Sequence, residues 1–346
     1  MNFDIEKRIK ILKEFADKKR IKLFISLSSS AENSNKAFFG GVRITDFFVI
    51  VSFINVSQKN LDQIYHIIDK YSDKVFIDVE KKHPFYLKEF NSLDEDEVLY
   101  SNLLGAAYQK FQYEKIVPWA PSRLTAESTI SLLRNFNKGI ISGLKVSLIG
   151  VGSIGLKVAL YLVEEGCSVV IFNRDKSKSQ NIADIINRTK SEYTIANASF
   201  SYNHSTTMAS SSTLILAAND NNYISRNDLR LMPGSKKLII DISKNSLSNE
   251  AKTYVKSLSE QIIYQRVDIG EKLVKLAISE YFNEQSNQFS KASCKSVIRN
   301  NKNIRIVSGG FPGGPRDYVV DSVINPSFIL GEIDEKGTCR NTFESF

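Results

Sequence analysis

KVSLIGVGSIGLKVALYLVEEGCSVVIFNRDKSKS, residues 145–179, decides how this chain is read. Lys145–Ile149 is a short apolar strand, and Gly150-Val151-Gly152-Ser153-Ile154-Gly155 follows without a spacer. From Leu156 to Glu165 the apolar residues Val158, Ala159, Leu162 and Val163 recur at helical spacing, and Ser168–Phe172 returns to strand. A strand, a G-x-G-x-x-G turn, a helix and a second strand within ~30 residues form the unit that binds a dinucleotide. Gly150 permits the tight turn, Gly152 lets the backbone approach a pyrophosphate, and Gly155 allows helix and strand to pack closely. The anion then lies at the helix N-terminus, over Ser153 and Ile154.

The end of the second strand selects the cofactor. NAD sites place an acidic residue about 20 residues beyond the glycines, on the ribose hydroxyls. Here the strand ends Phe172-Asn173-Arg174-Asp175-Lys176-Ser177-Lys178. Asn173, Arg174, Ser177 and the two lysines suit a 2′-phosphate, which a guanidinium binds in a forked pair of hydrogen bonds. NADP is therefore favoured over NAD, although a shift of one residue in the strand end would bring the Asp175 carboxylate to the ribose instead. Further on, Thr213–Ala217 and Lys237–Ile242 read as strands. Asn219, Asp241 and Ser243 then lie beyond carboxyl ends, where parallel sheets bind ligands; Asp241 is equally suited to capping a loop.

On the N-terminal side, Ile5, Ile9, Leu12 and Phe15 predict a helix, and Lys22–Ser28 a strand. Ala31–Lys36 reads as a polar turn and Phe39-Gly40-Gly41 as a tight bend. The apolar run Phe47–Ile54 predicts a buried strand, followed by a helix through Leu61, Ile64, Tyr65 and Ile68 and a strand at Lys74–Val79. That order implies a parallel pair with a right-handed crossover. A helix over roughly 95–113 and a short strand ending at Pro118 complete a small α/β domain. Pro118-Trp119-Ala120-Pro121 interrupts regular structure before a helix at Thr125–Phe136. After residue 283, Arg305–Ser308, Asp317–Val320 and Asn325–Leu330 read as short strands around a Gly309–Pro315 loop, with a turn at Asp334–Gly337. The fold class is thus α/β: a small N-terminal α/β domain (1–122), a Rossmann doubly wound parallel sheet (123–270), a returning helix (271–290) and a β-rich C-terminal appendage (291–346).

Composition narrows the classes. With 42% apolar and 24% charged residues the chain is globular, and no apolar run reaches the ~18–20 residues of a membrane span. Three dispersed cysteines and three histidines argue against a disulfide framework or metal centre and suit the cytoplasm; the N-terminus does not resemble a signal peptide. The net charge is +8, and between Glu284 and Asp317 there is no acid while six basic residues occur. A solvated surface explains this, as does a field that attracts an anionic substrate or partner; no nucleic-acid motif accompanies it.

These residues resemble the superfamily that includes shikimate dehydrogenase, methylene-tetrahydrofolate dehydrogenase and methylene-tetrahydromethanopterin dehydrogenase. The Asn173-Arg174 tip is similar to shikimate dehydrogenases. Pro118 to Gly143 is similar to the folate enzymes, and Val267-Asp268-Ile269-Gly270 with its following helix to the tetrahydromethanopterin enzymes. The resemblance implies a catalytic α/β domain first, a cofactor domain second and a last helix returning to the first; it does not specify the member. The Asn-Val-Thr-x-Pro-x-Lys segment of shikimate enzymes is missing. Its nearest analogue is Asp78-Val79-Glu80-Lys81-Lys82-His83-Pro84-Phe85, either a solvated charged loop or an acid–base cluster at a strand end. Lys81 and Lys82 are the catalytic candidates with Asp78 as partner, and Asn102 and Trp119 are candidates for substrate contact. The expected function is NADP-dependent hydride transfer to or from a small polar substrate, a carbonyl, imine or methenyl carrier, with a homodimer compatible. The alternative is a non-catalytic nucleotide-binding regulatory or scaffolding protein.

Overall fold

Ile9 and Ala16 are fully buried on one face of the first helix, α1 (Asn2–Lys19), which packs with α2 (Gln58–Tyr71) over the first sheet. The computed structural model describes residues 2–29, 38–54, 56, 58–80, 103–218, 221–243, 245–287, 294–300, 302–308, 314–321, 323 and 326–346. The chain divides into two compact units, Met1–Leu276 and Ala277–Phe346.

The first unit holds two sheets. The N-terminal one is built from β1 (Lys22–Ser28), β2 (Phe38–Ile44), β3 (Phe48–Ile54), β4 (Lys74–Asp78) and β5 (Ile116–Trp119), in the order β2-β3-β1-β4-β5. β3 and β4 are parallel, as the sequence implies, but they are not neighbours, because β1 lies between them and pairs with both. Phe39-Gly40-Gly41 is not a bend: it belongs to β2, which pairs antiparallel with β3 and shifts register between Phe39 and Gly41. A bulge absorbs the extra residue there and keeps the strand paired. Nor does Pro118 end its strand. Among the described residues β5 is an edge strand paired with β4, where a missing N–H is tolerated, and it runs to Trp119. One face carries the aliphatic core; on the other Phe24 stacks on Phe48 (4.8 Å between centroids) and lies 5.7 Å from Phe76. Strand alternation separates these two sets. α3 (Leu103–Tyr108) packs near β4 and β5, and a 3-10 turn at Tyr113–Lys115 leads into β5. The part of the predicted 95–113 helix before residue 103, and the Ala31–Lys36 turn, lie outside the described residues.

α4 (Pro121–Phe136) leads to the second sheet and starts earlier than predicted. Proline at the first helical position costs no hydrogen bond, so Pro121 opens the helix. The second sheet comprises β6 (Lys145–Ile149), β7 (Ser168–Phe172), β8 (Ala198–Phe200), β9 (Thr213–Leu216), β10 (Lys237–Asp241) and β11 (Ile262–Arg266). All its pairings are parallel, in the order β8-β7-β6-β9-β10-β11. Counted from β6 this is 3-2-1-4-5-6, the doubly wound dinucleotide order. α5 (Ser153–Glu164) and α6 (Lys176–Thr189) join α4 on one face, where Val146, Leu148, Ile215 and Ile240 point. α7 (His204–Met208), α8 (Arg226–Leu231) and α9 (Asn249–Ser257) cover the other, against Ile149, Leu214, Leu216 and Ile239.

Cys167 illustrates how tight this core is. The thiol is fully buried, lies 3.0 Å from the Ile141 carbonyl, and burial pushes it up to about 11. Cys339 is exposed. Site-mapped alkylation of the native protein near neutral pH should modify Cys339 and spare Cys167 until the domain unfolds, since the thiolate is the nucleophile. Comparable rates at both would contradict the packing.

α10 (Gly270–Asn287) closes the first unit and enters the second. The second unit is a five-stranded sheet of β12 (Cys294–Arg299), β13 (Lys302–Ser308), β14 (Tyr318–Val320), β15 (Phe328–Ile333) and β16 (Cys339–Ser345) in that order. Only β13 and β14 pair parallel; the rest are antiparallel. The Asp334–Gly337 turn is the β15–β16 hairpin: the Asp334 carboxylate accepts from Lys336 and Thr338 N–H, and these bonds hold its pKa low.

Candidate active site

The turn out of β6 makes a pocket of about 200 Å³ at the carboxyl ends of β6, β7 and β9. This is where the strand order reverses, the position at which open parallel sheets bind nucleotides. Gly150 stands at its floor with φ +91, and a Cβ there would meet Ala218 N at 2.5 Å and Ala217 C at 2.7 Å. Gly155 packs in turn on Gly150: its Cβ would lie 2.2 Å from the Gly150 carbonyl oxygen. Gly152 differs, because a Cβ there would meet nothing within 4 Å; its backbone faces open space. It is the N-cap of α5 and has no side chain to accept from the first turn, while the first helical bond runs from Leu156 N–H to its carbonyl. The N–H groups of Ser153, Ile154 and Gly155 therefore have no helical acceptor, which is what an anion at a helix N-terminus uses.

The tip of β7 supplies charge. Asn173 and Arg174 line the pocket together with Lys178 from the first turn of α6. Asp175 takes another role. It is the N-cap of α6, and its Oδ1 accepts from Lys178 N–H at 3.0 Å. Ser177 lies in that first helical turn, not among the pocket walls. Phe172 and Tyr223 are the aromatic walls, and His204 stands behind them with ring centroids 5.3 and 5.1 Å away. Burial lowers the His204 pKa despite Asp228, 3.3 Å from Nδ1, so the ring is neutral near pH 7. Sequence reasoning missed Phe172, Tyr223 and His204: Tyr223 follows β9 by seven residues, and nothing in composition separates it from the chain's other tyrosines. Asn219 lies outside the described residues.

Asp241 sits elsewhere. It is 1% exposed, accepts from Ser243 N–H and hydroxyl and from the Tyr264 hydroxyl at 2.8 Å, and is absent from the pocket walls. Burial and that bond push the Tyr264 hydroxyl up. These partners make Asp241 the cap of the β10 loop.

In the N-terminal sheet, Asp78 is fully buried, accepting at Oδ2 from Ser29 N–H and hydroxyl and at Oδ1 from Glu80 N–H. It ties the ends of β1 and β4 together. Trp119 pairs with it in register and is 5% exposed, and its Nε1 meets no acceptor among the described residues. Lys81, Lys82 and Asn102 lie outside the described residues. In the basic C-terminal stretch, Arg299 donates to Ser345 O and lies over Phe346, and Arg305 is 3.6 Å from Asp317.

Residues 133–256 match the family of shikimate/quinate 5-dehydrogenases. This segment is a shikimate dehydrogenase-like Rossmann domain. A domain of this type is found in NAD(P)-dependent dehydrogenases. Solved structures that resemble the chain at a distance include a shikimate dehydrogenase in complex with NADP+ (15% identity, 71% of this chain and 84% of that one, TM-score 0.39). Others are the hetero-hexameric glutamate dehydrogenase of Thermus thermophilus (12%, 79% and 71%, 0.40) and L-tryptophan dehydrogenase of Nostoc punctiforme (10%, 70% and 69%, 0.37). No residue role passes from likenesses this distant. No curated protein matches the chain. Among the described residues no helix is long and apolar enough to cross a membrane, and no group of three or more His, Cys, Asp or Glu is placed to hold a metal.

Proposed function

We propose that the chain is an NADP-dependent oxidoreductase that transfers hydride to or from a small polar, anionic substrate. On this reading residues 123–270 hold the cofactor and residues 1–122 the substrate, with 271–290 as the returning helix and 291–346 as an appendage. One observation supports NADP above the rest: Arg174 and Lys178 line the pocket while Asp175, the carboxylate next to Arg174 in the chain, is engaged in capping α6. A cation pair and an amide at the β7 tip favour a 2′-phosphate; a carboxylate there would repel it.

The residues fit the group. Gly152 leaves room for a pyrophosphate, the first N–H groups of α5 face it, and Asn173, Arg174 and Lys178 would hold the 2′-phosphate. A bound nicotinamide supplies the hydride chemistry; the chain supplies orientation and a proton. Lys81 and Lys82, beyond the end of β4, are the proposed proton carriers, because a lysine near a second cation titrates closer to neutrality. Asp78 enters as a positioning residue that fixes the strand end before them, and Asn102 and Trp119 as substrate contacts. The test is oxidation of NADPH against a panel of carboxylated carbonyls and imines. In the best case found, Lys81→Ala together with Lys82→Ala should lower kcat by roughly 100-fold or more with NADPH affinity kept. Undiminished turnover in the double variant would remove both lysines from the mechanism.

A further inference from the structure

Glu80, Ser122 and Lys157 belong to three separate elements. Glu80 follows β4 by two residues, Ser122 is the second residue of α4, and Lys157 lies one turn into α5, the helix whose N-terminus faces the pocket. The Ser122 N–H donates to Glu80 Oε2 at 3.1 Å, and its hydroxyl bonds to Glu80 Oε1. Lys157 Nζ donates to Ser122 Oγ and lies 3.5 Å from Glu80 Oε1. Ser122 is 3% exposed, and the side chains of Glu80 and Lys157 are 19% and 38% exposed.

The arrangement answers a local need. Ala120, the N-cap of α4, has no side chain to accept from the first turn. Glu80 supplies that acceptor from outside the helix and places a negative charge at its positive end. Lys157 then balances the carboxylate from the second sheet's side. Another pair joins the N-terminal sheet to the segment before α10: Arg43 Nη2 lies 2.9 and 3.0 Å from the two Asp268 oxygens. The Asp268 side chain is 73% exposed, so water and salt screen that pair far more than the Glu80 cluster.

We propose that Glu80, Ser122 and Lys157 are positioning residues, a latch that fixes the dinucleotide helix α5 against the end of β4. The latch sets where a substrate held at the first sheet's strand ends meets the nicotinamide. This role rests on the proposed function; the latch itself is a statement about how two sheets of one unit are held. Its consequences are therefore separable from cofactor binding.

Trp119 is the single tryptophan of the chain, three residues before Ser122, and its emission passes to bound NADPH with an efficiency that falls steeply with distance. Time-resolved Trp119 emission of the full-length protein at saturating NADPH should show one narrow transfer efficiency in the wild type. Glu80→Ala and Lys157→Met should each shift or broaden it, and the double variant should add little to either, as for partners in one network. Glu80→Gln, which keeps an acceptor for Ser122, should recover part of the wild-type value. NADPH affinity should stay within about threefold throughout, because none of the three residues lines the pocket. Transfer unchanged in Glu80→Ala and Lys157→Met overturns the latch, as does strict additivity.

Amide exchange of the nucleotide-free protein reads the same latch without a cofactor. Protection at Ser122 should fall about tenfold or more in Lys157→Met and Glu80→Ala while β6 keeps its protection. Retained protection at Ser122 also overturns it. Should Glu80→Ala fail to fold, Lys157→Met and Glu80→Gln decide. A wild type that binds no NADPH but shows this exchange pattern would sink the functional reading and leave the latch standing.

Discussion

Arg174→Ala weakens NADPH binding by roughly 10- to 100-fold, the loss expected for a charge-assisted hydrogen bond worth about 1.5–3 kcal/mol. NADH affinity changes by no more than about twofold, since a ribose hydroxyl carries no charge for the guanidinium to meet. The selectivity follows from geometry at the β7 tip, where Arg174 and Lys178 line the pocket and Asp175 caps α6. Arg174→Lys should fall between wild type and alanine, because an ammonium keeps the charge but loses the planar fork. Parallel titrations with the two reduced nucleotides check this. An equal loss for both would show that Arg174 supports the fold of the pocket instead of reading the 2′ position.

Gly150→Ala should unfold or empty the second sheet. Its φ of +91 lies in the left-handed region, and the added Cβ would stand 2.5–2.7 Å from backbone atoms of Ala217 and Ala218, which no side-chain rotation relieves. Strain and overlap together should cost on the order of 3 kcal/mol or more. Gly152→Ala is the informative contrast. That Cβ meets nothing within 4 Å and φ is −74, so stability should stay within roughly 0.5 kcal/mol of wild type. The methyl would instead fill the space a pyrophosphate needs, and dinucleotide binding should drop. Thermal melts with nucleotide titrations separate the two: Gly150→Ala loses both, Gly152→Ala only binding. A Gly152→Ala protein that binds NADPH as well as wild type would place the phosphates elsewhere.

These expectations depend on features that were legible to different degrees. β6 and β7 are found at the residues predicted, because buried parallel strands are unbroken apolar runs bounded by turns; Gly150 makes the turn and Gly155 the close packing assigned to them. β8 and β11 were not anticipated. Each is an edge strand with few buried residues, Ala198 in one and Ile262 in the other, so neither shows a periodic pattern. The Gly40–Gly41 pair misled for a related reason: glycine marks turns and bulges alike, and only pairing with β3 distinguishes them. Asp78 and Asp241 stand at the carboxyl ends of β4 and β10, yet their hydrogen bonds to Ser29 and Tyr264 come from contacts distant in sequence. The wall residue Tyr223 and its neighbour His204 meet only because α7 and the segment after β9 converge behind Phe172. Glu80, Ser122 and Lys157 were hidden for the same reason: no local pattern pairs a strand end with two later helices.

The most direct test of the account is a fluorescence titration of the unmodified protein with NADPH and with NADH under one salt condition. NADPH should bind at least about tenfold more tightly, a difference of roughly 1.4 kcal/mol. Tighter binding of NADH would contradict the assignment of Arg174 and Lys178 to a 2′-phosphate, and binding of neither nucleotide would contradict the oxidoreductase reading.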